Sequence, residues 1–208
     1  MKRLAAIYLA HLNPMTDAHK NIISLLVKNY NVYVFPVRFL KGGKEINTRS
    51  FPFSYEIRKS MVDSVFSDNA RVITLPDYTF FSPFIKYLPP LISPYSWLLR
   101  NQIIKNIREE KFVAYTGDHI ERLFLKIYGF HPLVARRFEI SASTVKDMLY
   151  RQVLERKELQ VEELLHYKMP EKVVYLIKDN WMIIEKFAQS SDLTIRIMGM
   201  KFPKEGFF

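Results

Sequence analysis

Residues 4–26, LAAIYLAHLNPMTDAHKNIISLL, decide the fold. Leu4–Ala10 is an unbroken apolar run of strand length, and a strand without polar alternation is one buried on both faces. Asn13-Pro14 is a turn signal. From about Asp17 the apolar residues Ile22, Ile23, Leu25, Leu26 and Val27 supply the apolar face of a helix. A strand, a tight turn and a helix start in that order make an anion site, because the first helical N–H groups are unpaired and point outward. Asn13, Thr16 and His19 stand around that opening. The same residues also fit an ordinary strand-to-helix joint with Thr16 or Asp17 as N-cap.

Outward from this unit the pattern repeats. Asn31–Val37 and Arg71–Leu75 are rich in β-branched and aromatic residues and read as strands, with a helix over Ser54–Phe66 between them. Ser54 stands at its N-cap position. Further helices are expected at Ser96–Glu109, His119–Tyr128 (with Gly129 as C-cap), Val145–Arg156, Val161–His166 and Glu171–Phe187, and further strands at Phe112–Tyr115 and His131–Val134. Arg38 to Ser50 carries Gly42-Gly43 among the cations Arg38, Lys41, Lys44 and Arg49, which suits either a phosphate-facing loop or a solvated hairpin tip. Tyr78–Pro94, aromatic and proline-rich, reads as a packed irregular loop or a substrate-facing lid. Leu193–Met198 is a strand-like fragment.

This alternation predicts an α/β fold: a doubly wound parallel, Rossmann-like sheet with helices on both faces. The expected division is a domain over residues 1–157 and a C-terminal helical extension over 158–208 packed on it. Ligands of such sheets bind at the carboxyl ends of the strands near the topological switch point. Three turns lie at strand ends: 13–19, 116–118 and 140–146.

A hydrophobic share of 49% allows a sizeable core, and a net charge of +10 favours polyanionic partners, from nucleotides to nucleic acid. The absence of cysteine excludes disulfides, zinc–thiolate sites and thiol catalysis. Met1-Lys2-Arg3 followed by a short apolar run lacks a cleavage-site pattern, and Phe80–Leu99 contains Lys86 and four prolines. Neither reads as a signal peptide or membrane span, so a cytoplasmic protein without membrane partners is expected.

Residues 10–19 (AHLNPMTDAH) and 140–149 (ISASTVKDML) together resemble the two signatures of the nucleotidyltransferase superfamily. Thr16-Asp17-Ala18-His19 resembles the first, (T/H)-x-G-H, behind an Asn/Gln-Pro turn. Ile140-Ser141-Ala142-Ser143-Thr144-Val145-Lys146 resembles the second, I-S-x-T-x-x-R. The intervening chain is most similar to archaeal nicotinamide-mononucleotide adenylyltransferases, at Phe51-Pro52-Phe53-Ser54, Leu75-Pro76-Asp77, Tyr115-Thr116-Gly117-Asp118 and Arg122-Leu123-Phe124. This chain has His11 where those enzymes usually have arginine, Ala18 for glycine and Lys146 for arginine; Phe84 falls near their stacking tryptophan.

The resemblance implies adenylyl transfer from ATP, with Mg2+, to a phosphorylated acceptor such as nicotinamide mononucleotide, releasing pyrophosphate. It implies that Thr16, His19 and Lys146 act on the triphosphate and that Asn13, Gly117, Asp118, Ile140, Ser141 and Ser143 bind the nucleotide. Phe84 would face the acceptor, and no side chain is assigned as a metal ligand. A homo-oligomer is implied too. The alternatives are CTP as donor, another acceptor, or a nucleotide- or RNA-binding protein that has lost catalysis.

Overall fold

The structure, a computed structural model, describes residues 4–116, 119–134, 142–155, 168–197 and 199–208. In chain order the elements are β1 (Leu4–Ala10), α1 (Asp17–Leu26), β2 (Tyr30–Pro36), β3 (Arg38–Lys41), β4 (Lys44–Glu45), α2 (Tyr55–Val65), β5 (Val72–Thr74) and β6 (Thr79–Phe81). They continue with α3 (Pro94–Ile104), β7 (Phe112–Thr116), α4 (His119–Ile127), β8 (Pro132–Val134) and α5 (Ala142–Leu154). The C-terminal part has α6 (Glu171–Asp179), α7 (Trp181–Ala188), β9 (Thr194–Ile197) and β10 (Met200–Pro203).

The central sheet is five parallel strands in the order β5-β2-β1-β7-β8. Alternate residues of β1 and β2 enter two different cores, which is why the buried residues of both strands are apolar on both faces. Ala6, Tyr8, Val32 and Val34 face a layer built from α1, α2, α5, α6 and α7. Ala5, Ile7, Tyr33 and Phe35 face α3, α4 and an aromatic cluster. The chain runs outward from β1 through β2 to β5, then returns to β7 on the other side of β1. The carboxyl ends of β1 and β7 therefore flank the switch point, where a doubly wound sheet opens a crevice.

One region takes one of its two sequence readings, and two others differ from theirs. The Arg38–Ser50 segment is a hairpin whose turn glycines, Gly42 and Gly43, have φ of +56° and +78°, a conformation that side chains disfavour. Its strand β3 also pairs in parallel with β6, making a second, three-stranded sheet from part of the 78–95 region. The described part of segment 158–208 is not helical throughout, because β9 and β10 form an antiparallel hairpin. Phe202 of β10 is fully buried among Phe39, Phe80 and Phe84, so aromatic packing holds the hairpin to the body. The helix expected at Val161–His166 lies outside the described residues.

One buried cation binds the turn after β1 to the rest. Arg58 on α2 donates to the carbonyls of His11 (2.9 Å) and Val37 (2.7 Å) and to Glu45 Oε1 (2.7 Å). The other Glu45 oxygen accepts from the Tyr55 N–H at 2.8 Å, so this carboxylate caps α2, and Ser54 at the N-cap position makes no side-chain cap bond. Removing one partner of a buried pair strands the other's charge. Arg58→Ala should therefore lower the unfolding free energy by about 3–5 kcal/mol. Lys41→Ala, which removes the exposed pair with Glu205, should cost no more than about 0.5 kcal/mol. Denaturant titration of both variants checks this, and similar losses in the two would contradict the assigned role of Arg58.

Candidate active site

The turn between β1 and α1 is held in a conformation the chain would not choose alone. Leu12 is fully buried with φ +50°, in the left-handed region that non-glycine residues avoid. It is fixed on both sides. Arg58 holds the His11 carbonyl, and Asn13 exchanges two hydrogen bonds with the Phe53 backbone: Nδ2 to the Phe53 carbonyl (2.9 Å) and the Phe53 N–H to Oδ1 (3.2 Å). Such clamped strain is characteristic of functional turns. The Phe51–Ser54 segment is thus the back wall of the turn, and the Asn13 amide is committed to that wall.

At the start of α1 the Thr16 N–H donates to His19 Nδ1 at 3.0 Å, and the Thr16 hydroxyl oxygen lies 2.9 Å from the same nitrogen. Nδ1 is therefore the acceptor, and the neutral ring carries its proton on Nε2. Burial, helped by the charge of Lys146, lowers the His19 pKa to about 4, so the ring is neutral at physiological pH. Thr16 is fully buried and does not line the cavity described below; its side chain positions His19.

The first turn of α5 lies across from this helix start. Lys146 is buried, donates from Nζ to the Asn13 carbonyl at 2.8 Å, and so joins the two turns that the sequence left 133 positions apart. Desolvation, with Lys201 nearby, lowers its pKa to about 8. His19, Asn13, Ser143 and Lys146 line one cavity of about 280 Å³. Among the described residues no acidic side chain lines it; its other walls include His11, Ser50, Arg196 and Lys201. Cations, a neutral N–H donor and hydroxyls in one hollow suit the oxygens of a phosphate chain. They do not suit a divalent cation, and among the described residues no group of three His, Cys, Asp or Glu side chains could hold a metal ion.

His11 marks the border with a second cavity. Its ring stacks on Phe51 with centroids 4.8 Å apart, and its Nδ1 is buried without a hydrogen-bond partner among the described residues. Burial foremost, then the charge of Arg58, lowers its pKa to about 3. His11 and Gly199 line both cavities. The second, of about 330 Å³, is walled mainly by aromatic and aliphatic side chains, among them Tyr78, Phe80, Tyr87, Leu99 and Tyr128.

Other expected site residues sit elsewhere. Phe84 is fully buried against Phe39 and Phe202 and lines neither cavity, because the aromatic core absorbs it. None of the cations of the 38–50 segment reaches the polar cavity. Arg38 lies over the Tyr55 ring, Lys41 pairs with Glu205, and Arg49 caps carbonyls at the end of α7 while stacking on Tyr150. Ala18 is buried and does not line the phosphate-facing cavity, so its methyl group leaves that space open. Gly117, Asp118, Ile140 and Ser141 lie outside the described residues. Sequence reasoning missed Arg58, Ser50, Arg196 and Lys201. Only the last two had a visible signal, an alternating run around Gly199 that reads as a hairpin.

No family model matches the sequence, and no curated protein matches it. Solved structures do. A bifunctional NMN adenylyltransferase/ADP-ribose pyrophosphatase from Francisella tularensis superposes with a TM-score of 0.66 at 12% identity, over 90% of this chain and 53% of that chain. A structure of such a Francisella tularensis protein complexed with AMP and a manganese ion gives 0.56 at 12% identity, over 88% and 54%. A Vibrio parahaemolyticus protein assigned as a nicotinate-nucleotide adenylyltransferase gives 0.54 at 17% identity, over 89% and 98%. The chain spans about half the length of the two Francisella chains. At these identities the likeness is one of architecture: the chain has the Rossmann-like α/β fold of these adenylyltransferase structures.

Proposed function

We propose that the protein is a nucleotidyltransferase that moves an adenylyl group from ATP to a phosphorylated acceptor, with nicotinamide mononucleotide as the acceptor favoured by the sequence resemblance. The observation that carries this reading is the His19 ring. Its Nδ1 is taken by Thr16, which leaves the Nε2–H to donate in a cavity it shares with Lys146 at the switch point of the sheet. In the reaction an oxygen of the acceptor's phosphate attacks the α-phosphorus of ATP. The bond from that phosphorus to the bridging oxygen breaks, and pyrophosphate leaves with its electron pair. Little covalent chemistry is asked of the protein; it aligns the groups and stabilises the growing negative charge. His19 Nε2–H donates to the triphosphate, Lys146 and Ser143 hold its outer phosphates, and Thr16 is a positioning residue for His19. Magnesium would be brought in by the nucleotide itself, since the described residues lining the cavity offer none of the carboxylates it prefers.

Pyrophosphate release from ATP, Mg2+ and nicotinamide mononucleotide tests the reading. Wild-type protein should turn over, and His19→Ala should lose roughly 10²–10³-fold in kcat, the cost of one donor aimed at developing charge. Release only with other phosphorylated acceptors would move the substrate and keep the chemistry. ATP binding without release from any acceptor would leave a nucleotide-binding protein.

The pH dependence follows from Lys146. Below about pH 8 it is charged and attracts ATP; as pH rises through 8 the free protein loses that charge. Affinity for ATP should therefore fall above pH 8, approaching about tenfold per pH unit. Lys146→Arg stays charged and should remove the break. His19, neutral above about pH 4, should add no pH dependence between 5 and 8. Calorimetric titration from pH 6 to 9.5 checks this, and an identical break in Lys146→Arg would assign it to another group.

A further inference from the structure

The β9–β10 hairpin carries two cations where the local rules of sheet pairing disfavour them. Arg196 and Lys201 are direct cross-strand partners in the antiparallel register. Partners directly opposite project to one face, and like charges there repel. Both side chains line the same cavity as His19 and Lys146. Lys201 is steered into place: its Nζ donates to Ser50 Oγ at 2.9 Å, Ser50 donates to Asp192 Oδ2 at 2.8 Å, and Asp192 lies 3.5 Å from the ammonium. Among the described residues Asp147 and Asp192 are the carboxylates whose charge reaches Lys146, set against three cations, Lys146, Arg196 and Lys201. Arg196 forms no ion pair among the described residues. Gly199, in the turn between the two strands with φ +85°, lines both cavities together with His11. The hairpin that carries the two cations thus also borders the aromatic cavity, through Gly199.

We propose that this hairpin is a phosphate clamp, in which Arg196 and Lys201 bind the phosphate monoester of the acceptor while its less polar body occupies the aromatic-walled cavity. The proposal rests on the nucleotidyl-transfer reading only in calling that monoester the acceptor. The two cations repel each other until a dianion lies between them, and two hydrogen-bonding cations fix its orientation. The acceptor oxygen is then held beside the triphosphate bound by His19 and Lys146. Ser50 and Asp192 act as positioning residues for Lys201, and the His11 Nδ1, buried and without a partner among the described residues, is available to the same ligand. The acceptor class is a phosphate monoester with a flat or apolar body. The clamp belongs to the C-terminal segment, so it is a part of the site that neither sequence signature reaches.

Inorganic phosphate serves as the probe, titrated calorimetrically into the full chain saturated with MgATP so that the triphosphate site is already filled. Wild-type protein should bind it. Lys201→Met and Arg196→Met should each weaken phosphate binding roughly fivefold or more, and should weaken ATP binding by a clearly smaller factor. Lys201→Arg should retain most of the phosphate affinity, a rescue that loss of structure would not show. Phosphate binding that is absent in the wild type, or undiminished in both methionine variants, would overturn the clamp. ATP affinity that falls as far as phosphate affinity would overturn it too, assigning the cations to the triphosphate. Wild-type protein that binds phosphate but not ATP would support the clamp and sink the nucleotidyl-transfer reading alone.

Discussion

The buried Arg58 guanidinium is the constraint on which the rest depends. It joins three pieces of chain that meet at the switch point: the turn after β1, the β2–β3 junction and the hairpin that carries Glu45. Backbone carbonyls and a carboxylate buried at such a junction need donors, and a single planar fork of five N–H groups supplies several at once. With that fork in place, Leu12 can be held at positive φ and Asn13 turned onto Phe53. The first turn of α1 is then presented to the crevice. The phosphate-facing surface is thus prepared by interactions that point away from it.

The chemistry of the hollow comes from how burial treats different side chains. The two histidines are forced neutral, which makes His19 a fixed N–H donor whose state does not vary over the physiological range. The lysine and arginine keep positive charge beside them, at a cost expressed in the lowered pKa of Lys146 and in the opposed pair Arg196 and Lys201. A polyanion bound in the hollow would remove both costs. Stability is lent to the site by the double-sided sheet and the aromatic cluster around Phe39 and Phe202.

The sheet was legible in the sequence because its strands are apolar on both faces and separated by helical spacing. The five runs read as central strands, from Leu4–Ala10 to His131–Val134, all lie in the parallel sheet. His19 could be singled out from its place after a strand and at a helix start, and Lys146 from the resemblance of residues 140–146 to a family signature. Three things were hidden. Thr16 and Asn13 are polar groups at a helix start, and only coordinates distinguish a side chain aimed at a ligand from one that braces its neighbour. Phe84 lies in a stretch rich in aromatic residues, so composition cannot separate a core ring from a ligand-facing one. Arg196 and Lys201 follow the second signature by some fifty residues, and their importance arises from a hairpin folding back across the sheet, a long-range contact no local pattern encodes.

The measurement closest to the centre of this mechanism is the nitrogen NMR spectrum of the histidine rings at pH 7, with and without ATP. The Thr16–His19 geometry predicts a neutral His19 protonated on Nε2, and an Nε2 resonance that shifts on ATP addition more than Nδ1 does. A His19 ring protonated on Nδ1, or an Nε2 signal unmoved by saturating ATP, would contradict it.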